Sequence, residues 1–181
     1  MAELRKTKQK IKEDAEQIVF NSLKTKRNAN QFILLSGALL RRSGEMDIAK
    51  VLTDVFGEIR PSWMEDLIKN VPGLQTGILS DSDINILKAI RHRINDAIEV
   101  KVDMSFEPSE YFIDSVINIM KDVLKGANKG SYNVDLIVDV NVKEDFEPGA
   151  IFYVNGHVID LRVRNKVINY LYSQDVVNRY L

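Results

Sequence analysis

The sequence predicts an α+β protein with two parts, a helical N-terminal part over residues 1–77 and a mixed unit over residues 78–181. Apolar residues recur every three or four positions through most of the first part, which is the period of helices with one buried side. Between residues 98 and 163, several stretches instead alternate apolar and polar residues, as half-buried strands do. The mixed unit should run strand–helix–strand–hairpin–helix. Its small antiparallel or mixed sheet of three to four strands, three of them antiparallel neighbours, should pack with two helices.

Four helices are predicted before residue 78, and the first three cover residues 3–25, 31–42 and 46–56. The second should be capped by Asn28 or Asn30. The fourth starts at the Ser-x-x-Glu spacing of residues 62–65, which is typical of a capping box, and stops before Pro72. The glycine-flanked segment 73–77 is expected to be a loop and the hinge between the two parts. Because the first helix begins with two almost wholly polar turns, this end should project from the body and need a partner. A frayed basic terminus is the alternative.

In the mixed unit, the polar sequence of residues 80–83 is expected to cap a helix. The predicted elements are a helix over residues 84–97, a strand over 98–106, a helix that opens near 108 and runs to 125, and a strand over 134–142. Residues 164–172 fit a helix best, with a returning strand as the alternative.

Asn155-Gly156 lies between two short apolar runs, and this is the strongest two-residue signal for a β-hairpin. A two-residue loop fixes the register, with the pairs Val154–His157, Tyr153–Val158, Phe152–Ile159 and Ile151–Asp160. The predicted core face carries Phe152, Val154, His157, Ile159, Leu161 and Val163. The opposite face carries Ile151, Tyr153 and Val158, and it is more apolar than a solvated face needs to be. We therefore expect these three residues to be buried, under a helix of this chain or under another subunit.

The composition is ordinary for a folded protein, but charge is unevenly distributed. Residues 1–27 hold eight Lys and Arg against four Asp and Glu, whereas the remainder holds 17 against 22. The chain has no cysteine, which excludes disulfides and thiolate metal sites and suits a reducing compartment. Its first residues are charged, unlike a signal peptide, and its most apolar segment, residues 32–40, is about half the length that spans a bilayer. We expect a soluble cytoplasmic protein, or one incorporated in a virion, with no membrane partner.

The sequence shows no arrangement of residues that carries a reaction, a metal or a cofactor. His92 and His157 lie on separate predicted elements, and no Gly-rich phosphate-binding loop is present. Asp135 and Asp139 share a strand face but lie about 13 Å apart by strand rise, too far for one metal or a carboxylate pair. Residues 91–93, two arginines around a histidine, resemble an anion site, although arginine pairs are common on helix surfaces. An enzyme is therefore not expected.

The favoured function is a structural subunit of a larger homo-oligomeric complex. A projecting arm, an uneven charge distribution, a second sheet face that needs cover and an aromatic-rich C-terminal tail all favour contacts between subunits. Small cysteine-free α+β proteins with extended arms are typical of phage-type connectors, necks and tail-completion components, so a virion component is the specific expectation. The predicted interface residues are Trp63, Ile151, Tyr153, Val158, Tyr170, Tyr172 and Tyr180. For Trp63, packing in a core or between helices is favoured over an exposed contact.

The alternative function is nucleic-acid binding through the basic first helix. Its cations would contact phosphates without sequence preference. These residues are Arg5, Lys6, Lys8, Lys10 and Lys12. Tyr153 and Arg162 on the open face of the sheet could also contact RNA, but the excess of acid in the second part argues against this.

Overall fold

The structure, a computed structural model, describes residues 2–41, 47–57, 60–127 and 134–165. The chain divides into two compact units, Met1–Ala97 and Ile98–Leu181. The first is helical and the second combines a sheet with a helix, so the predicted α+β class is confirmed. The units meet after Ala97, whereas the sequence-based boundary lies after residue 77, because the helix before Ala97 packs on helices of the first unit.

Six helices of the first unit lie in the described part of the chain. They are α1 (Ala2–Ser22), α2 (Lys26–Leu40), α3 (Ile48–Phe56), α4 (Trp63–Asn70), α5 (Gly73–Thr76) and α6 (Asp81–Asp96). Helix α1 packs against α4 and α6, and α2 packs against α3 and α6. The core includes Phe32 and Leu35 of α2, Leu67 of α4 and Leu87 of α6, all fully buried. The apolar residues that recur at helical spacing in the first part of the sequence therefore do form a buried core.

The caps of three helices decide where these helices begin. Ser80 Oγ accepts a hydrogen bond from the Asp83 N–H, and the Asp83 carboxylate accepts one from the Ser80 N–H, so the predicted cap of α6 is a full capping box. Helix α2 begins earlier than predicted, because Thr25 makes the capping bond in place of either asparagine. Ser62 makes no capping bond, because its backbone is itself helical whereas a cap needs an extended backbone.

The segment predicted to be a loop and hinge forms the short helix α5 inside the first unit. Gly73 is buried, and a Cβ there would lie 2.6 Å from both the Asp83 carboxylate and the Ile78 carbonyl oxygen. The prediction was wrong because this glycine permits close packing of two segments instead of providing flexibility.

The second unit contains a four-stranded mixed sheet among its described residues. Its elements are β1 (Ile98–Met104), α7 (Glu110–Ala127), β2 (Leu136–Val142), β3 (Ala150–Val154) and β4 (His157–Asp160). The strand order is β2-β1-β3-β4. Strands β1 and β2 are parallel and are joined through α7, since a parallel pair needs a long crossover connection. Strands β1, β3 and β4 are antiparallel neighbours, as predicted.

Helix α7 covers one face of this sheet. Val100, Val102 and Met104 of β1 are fully buried on that face, and the register places Val102 beside Phe152. The same cluster contains Ile113, Val116 and Met120 of α7, Leu136 and Val138 of β2, and Ala150, Phe152 and Val154 of β3. The opposite side of the sheet, which carries Asp103 and Tyr153, is called the open face below.

Residues 163–165 form a helical turn, and residues 166–181, which include most of the predicted C-terminal helix, lie outside the described residues. In the described ranges, we find no helix that combines the length and the apolar character needed to cross a bilayer.

Candidate protein-interaction surface

The hairpin of β3 and β4 has the predicted register. Asn155 and Gly156 have φ values of 49° and 80°, and positive values at both positions are typical of a type I′ turn. The four predicted residue pairs, from Val154–His157 to Ile151–Asp160, are all present. This part of the chain could therefore be predicted residue by residue.

The predicted core face is correct for β3 and wrong for β4. Phe152 and Val154 are buried, whereas Ile159 is 39% exposed, Leu161 42% and Val163 52%. The reason is position in the sheet. Strands β2 and β4 are the two edges of the sheet, but α7 packs on the β2 side, and the buried cluster beneath it includes β1, β2 and β3 but no residue of β4.

Val158 on the open face is 61% exposed, while Ile151 and Tyr153 are half-buried. The predicted burial of Val158 under a helix of its own chain is therefore wrong. Apolar side chains project from both sides of β4, although natural edge strands usually carry charges or proline there. We call Val158, Ile159, Leu161 and Val163 the edge strip.

Among the described residues, no strand pairs with the outer side of β4, and the backbone groups on that side can be deduced from the hydrogen bonds to β3. The Leu161 N–H donates to the Ala150 carbonyl at 2.8 Å, so the odd-numbered residues of this stretch bond inward to β3. Strand groups alternate, so the N–H and C=O groups of Val158 and Asp160 point away from the sheet. The Arg162 N–H also points outward, but it donates to the Asp160 carboxylate at 3.0 Å.

Gly149 allows the chain before β3 to approach the chain after β4. Its φ is 127°, and a Cβ at this position would lie 2.5 Å from Arg162 Cα and 2.7 Å from the Leu161 carbonyl oxygen. The Val163 N–H donates to the Pro148 carbonyl at 2.9 Å beside it. Only glycine fits here, and this close approach holds the chain after β4 against the chain before β3.

Asp103 of β1 is the centre of a hydrogen-bonded cluster on the open face. Its carboxylate accepts hydrogen bonds from Lys143 Nζ at 2.6 Å, Asn141 Nδ2 at 2.9 Å and Tyr153 Oη at 3.3 Å. The central position of β1, between β2 and β3, brings these partners together. The hydrogen bond that Lys143 donates is the largest cause of the lowered pKa of Asp103. Desolvation of the carboxylate by burial acts in the opposite direction and raises this pKa.

A second cluster forms where β4 ends. Arg162 makes a bidentate pair with Asp160, with Nη2 at 2.6 Å and Nε at 3.0 Å from carboxylate oxygens. These bonds hold the pKa of Asp160 below its ordinary value and raise the pKa of Arg162. Glu147 pairs with Arg162 at 3.5 Å and with Arg164 at 3.3 Å, and Asn165 Nδ2 donates to Asp160 at 2.7 Å.

Phe146 connects the two clusters. Lys143 Nζ lies 5.8 Å from the centre of its ring, and Arg162 Cζ lies 5.9 Å from it. Lys101, further along β1, pairs with Glu99 at 3.5 Å. These three cations and Arg164 thus all have acidic partners within the chain, so the open face offers little free positive charge to phosphate. This argues against RNA binding through Tyr153 and Arg162.

The predicted phosphate-contacting residues all belong to α1, but only two of them have described side chains. Lys10 is exposed, and Lys12 Nζ lies 3.8 Å from the Glu16 carboxylate one turn later. Arg5, Lys6 and Lys8 lie in the helix, and their side chains are outside the described part.

Trp63 is not on the surface of the first unit. It is 1% exposed and packs edge-to-face against Phe32 and Phe56, with ring centres 6.0 and 5.9 Å away. Its place in the interface prediction was wrong, because its position in the first turn of α4 directs it into the core. The other predicted aromatic contacts, Tyr170, Tyr172 and Tyr180, lie outside the described residues.

The arginines of residues 91–93 are used in helix packing. Arg91 Nη1 donates to the Ile33 carbonyl at 2.7 Å and to Ser36 Oγ at 2.9 Å, which ties α6 to α2. Arg93 donates to Gln17 at 3.0 Å and lies over the Phe20 ring of α1. They therefore do not form a free anion site.

The described residues also include no cluster of side chains suited to binding a metal ion. No group of three or more acidic or histidine side chains there could hold an ion. His92 pairs with Asp96 on its own helix at 3.5 Å, and His157 is exposed beside the hairpin turn.

Comparisons with known proteins assign no family to the chain. No model of a known protein family matches it, and no curated protein matches it either. The function therefore has to be inferred from the surface of the chain itself.

Sequence reasoning missed the two charged clusters. The alternation of apolar and polar residues in β1 placed Asp103 on a solvent-facing side of the strand. This was the sequence feature that could have indicated the Asp103 cluster. Its partners depend on β1 lying between β2 and β3, and strand order is not encoded in the periodicity of any one strand.

Proposed function

We propose that this chain is a non-enzymatic structural protein, a subunit of a larger homo-oligomeric assembly. The observation that carries the proposal is the edge strip, a set of exposed large apolar side chains in β4 and just after it, whose outer edge pairs with no strand among the described residues. Exposed apolar patches joined to unpaired backbone groups mark surfaces that bind other proteins.

The charge distribution of the open face supports a protein partner over a polyanion. Lys143 is matched by Asp103, and Arg162 is matched by Asp160, each at 2.6 Å. A surface whose charges are already paired neither repels a second protein nor attracts phosphate strongly. It can therefore be covered by another subunit without leaving unpaired charge.

The specific form of the proposal is a virion connector, neck or tail-completion component. It is supported by the absence of cysteine in this sequence and by the excess of cations in residues 1–27 over a remainder rich in acid. Such a charge distribution favours contacts between unlike surfaces of neighbouring copies, which close into rings when the rotation permits.

The test is the mass of the particle in solution. Size-exclusion chromatography with light scattering should give a mass above 20.7 kDa that rises with protein concentration. A variant lacking residues 1–12 shows whether α1 contributes, and circular dichroism checks that Ala15 and Val19 still hold the shortened helix on its unit. A strictly monomeric chain at every concentration, with no effect of the deletion on binding to any protein, would contradict the proposal.

Nucleic-acid binding through α1 is retained as a second candidate because Lys10 is exposed. It predicts that fluorescence anisotropy detects DNA or RNA binding that weakens steeply with salt. Replacing Arg5, Lys6, Lys8, Lys10 and Lys12 with Gln should abolish it. Binding that is absent, or that persists in the variant or in high salt, would reject this candidate.

A further inference from the structure

We propose that β4 is a homotypic docking edge, at which the strand of one copy pairs antiparallel with the same strand of a second copy. This inference rests on the proposed assembly function and gives it a surface and a register. The resulting sheet would continue from four strands to eight across the interface.

The backbone groups that face outward define the register. Val158 and Asp160 each present one N–H and one C=O, and the Arg162 N–H is already occupied by the Asp160 carboxylate. The free edge is therefore two outward-facing residues long. A longer ladder would require the Asp160–Arg162 pair to break, so this pair ends the docking edge.

A second copy supplies a matching edge. With the two-fold axis at Ile159, Val158 of each copy lies opposite Asp160 of the other, and both residues of each pair exchange N–H and C=O bonds. Four backbone hydrogen bonds form in this way. On the face that α7 covers in the rest of the sheet, Ile159 meets Ile159 of the second copy, and Leu161 lies opposite His157.

The charges beside the edge also fit a second copy. Asp160 and Glu147 are balanced by Arg162 and Arg164, through contacts of 2.6 to 3.5 Å within one chain. Two identical neutral edges can approach without repulsion, whereas a strongly acidic or basic peptide would gain no electrostatic attraction here.

The size of the edge sets the expected affinity. A stable interface typically buries about 800 Å² per partner, and a four-residue strand with a few flanking side chains buries less. The dimer should consequently be in reversible equilibrium with the monomer, and its fraction should rise with concentration.

The experiment is sedimentation equilibrium of the full chain over a wide concentration range, with two variants of the edge. Val158→Pro removes an outward N–H but leaves the inward bonds of residues 157, 159 and 161 intact, because edge strands accept proline at such positions. Ile159→Lys places two charges opposite each other at the axis. Val158→Thr, which keeps the N–H, and Val142→Lys on the opposite edge of the sheet are the matched controls, and circular dichroism verifies folding of all four.

Wild type and both controls should dimerise, and the two edge variants should need about tenfold or more higher concentration, since Val158→Pro removes two of four hydrogen bonds. If the wild type associates and the edge variants associate equally, the β4 inference is overturned while the proposed assembly function stands. If the wild type is monomeric throughout, the docking edge is overturned together with homo-oligomerisation.

Discussion

Strands β3 and β4 belong to one hairpin, share a register and have similar apolar alternation, yet only β3 is buried. Phe152 and its cross-strand neighbour Ile159 show the difference, because the first is a core residue and the second is 39% exposed. β3 has a strand on each side and α7 above it, whereas β4 pairs with β3 alone within the described part of the chain and lies outside the cluster beneath α7. An apolar pattern therefore specifies which residues can be buried, and the position of the strand decides whether they are.

The difference between β3 and β4 also bears on the proposed function. In β3, the alternating apolar side chains form part of the core, and substitutions there should lower the free energy of unfolding. In β4, the same alternation leaves apolar side chains in water, which is unfavourable in an isolated chain. Exposed apolar surface of this kind is the basis of the proposal that a second copy covers it.

The largest expected effect is a difference in stability between the two strands. Phe152→Ala should lower the free energy of unfolding by about 3–5 kcal/mol, because it leaves a cavity beneath α7. Ile159→Ala should cost under about 1 kcal/mol in the monomer, since the side chain is already partly in water. Urea unfolding followed by circular dichroism at low concentration measures both, and comparable losses would remove the distinction.

A smaller effect is expected from two glycines near the ends of β3. Gly149→Ala should cost about 2 kcal/mol, because its φ is 127° and the new Cβ would collide with the backbone at Arg162. Gly156→Ala should cost about 1 kcal/mol, since its φ of 80° is unfavourable for alanine but no atom lies within 4 Å of the added carbon. Equal losses in urea titrations of the two variants would show that the close approach at Gly149 is not needed.

The smallest effect is the pH dependence of the open face. Asp103 has a folded-state pKa below its ordinary value of 3.8, mainly because Lys143 donates to it. A depressed pKa means that the carboxylate stabilises the folded state above about pH 4 and loses this contribution as pH falls through the lower folded pKa. Wild type should therefore be more stable than Asp103→Asn near pH 6, and the difference should vanish towards pH 2. A difference that stays constant with pH would exclude this role.

Much of the second unit could be predicted from its sequence because its information is local. Asn155-Gly156 determines the turn, and the turn determines the register of the hairpin. In the first unit, Ser80 and Asp83 determine the start of α6 in the same local way. The exposure of Val158 and the partners of Asp103 could not be predicted, because they depend on the order of strands in the sheet.

The first unit shows the same limit. Core packing was favoured for Trp63, which was also included among the interface residues, and Gly73 was assigned to a hinge. Both residues are buried where separate segments pack together. Neither contact is visible in local spacing, because the Phe32 and Asp83 side chains that they meet come from other helices.

Residue-resolved amide hydrogen exchange tests the docking edge most directly. In dilute protein, the Ile159 and Leu161 amides should be protected by β3, whereas the Val158 and Asp160 amides should exchange rapidly. At high concentration, the Val158 and Asp160 amides should become protected as β4 pairs with a second copy. The Val158→Thr variant, which keeps the N–H, should show the same dependence on concentration. Rapid exchange of Val158 and Asp160 at every concentration, or protection already in dilute monomer, would contradict the free, self-pairing edge.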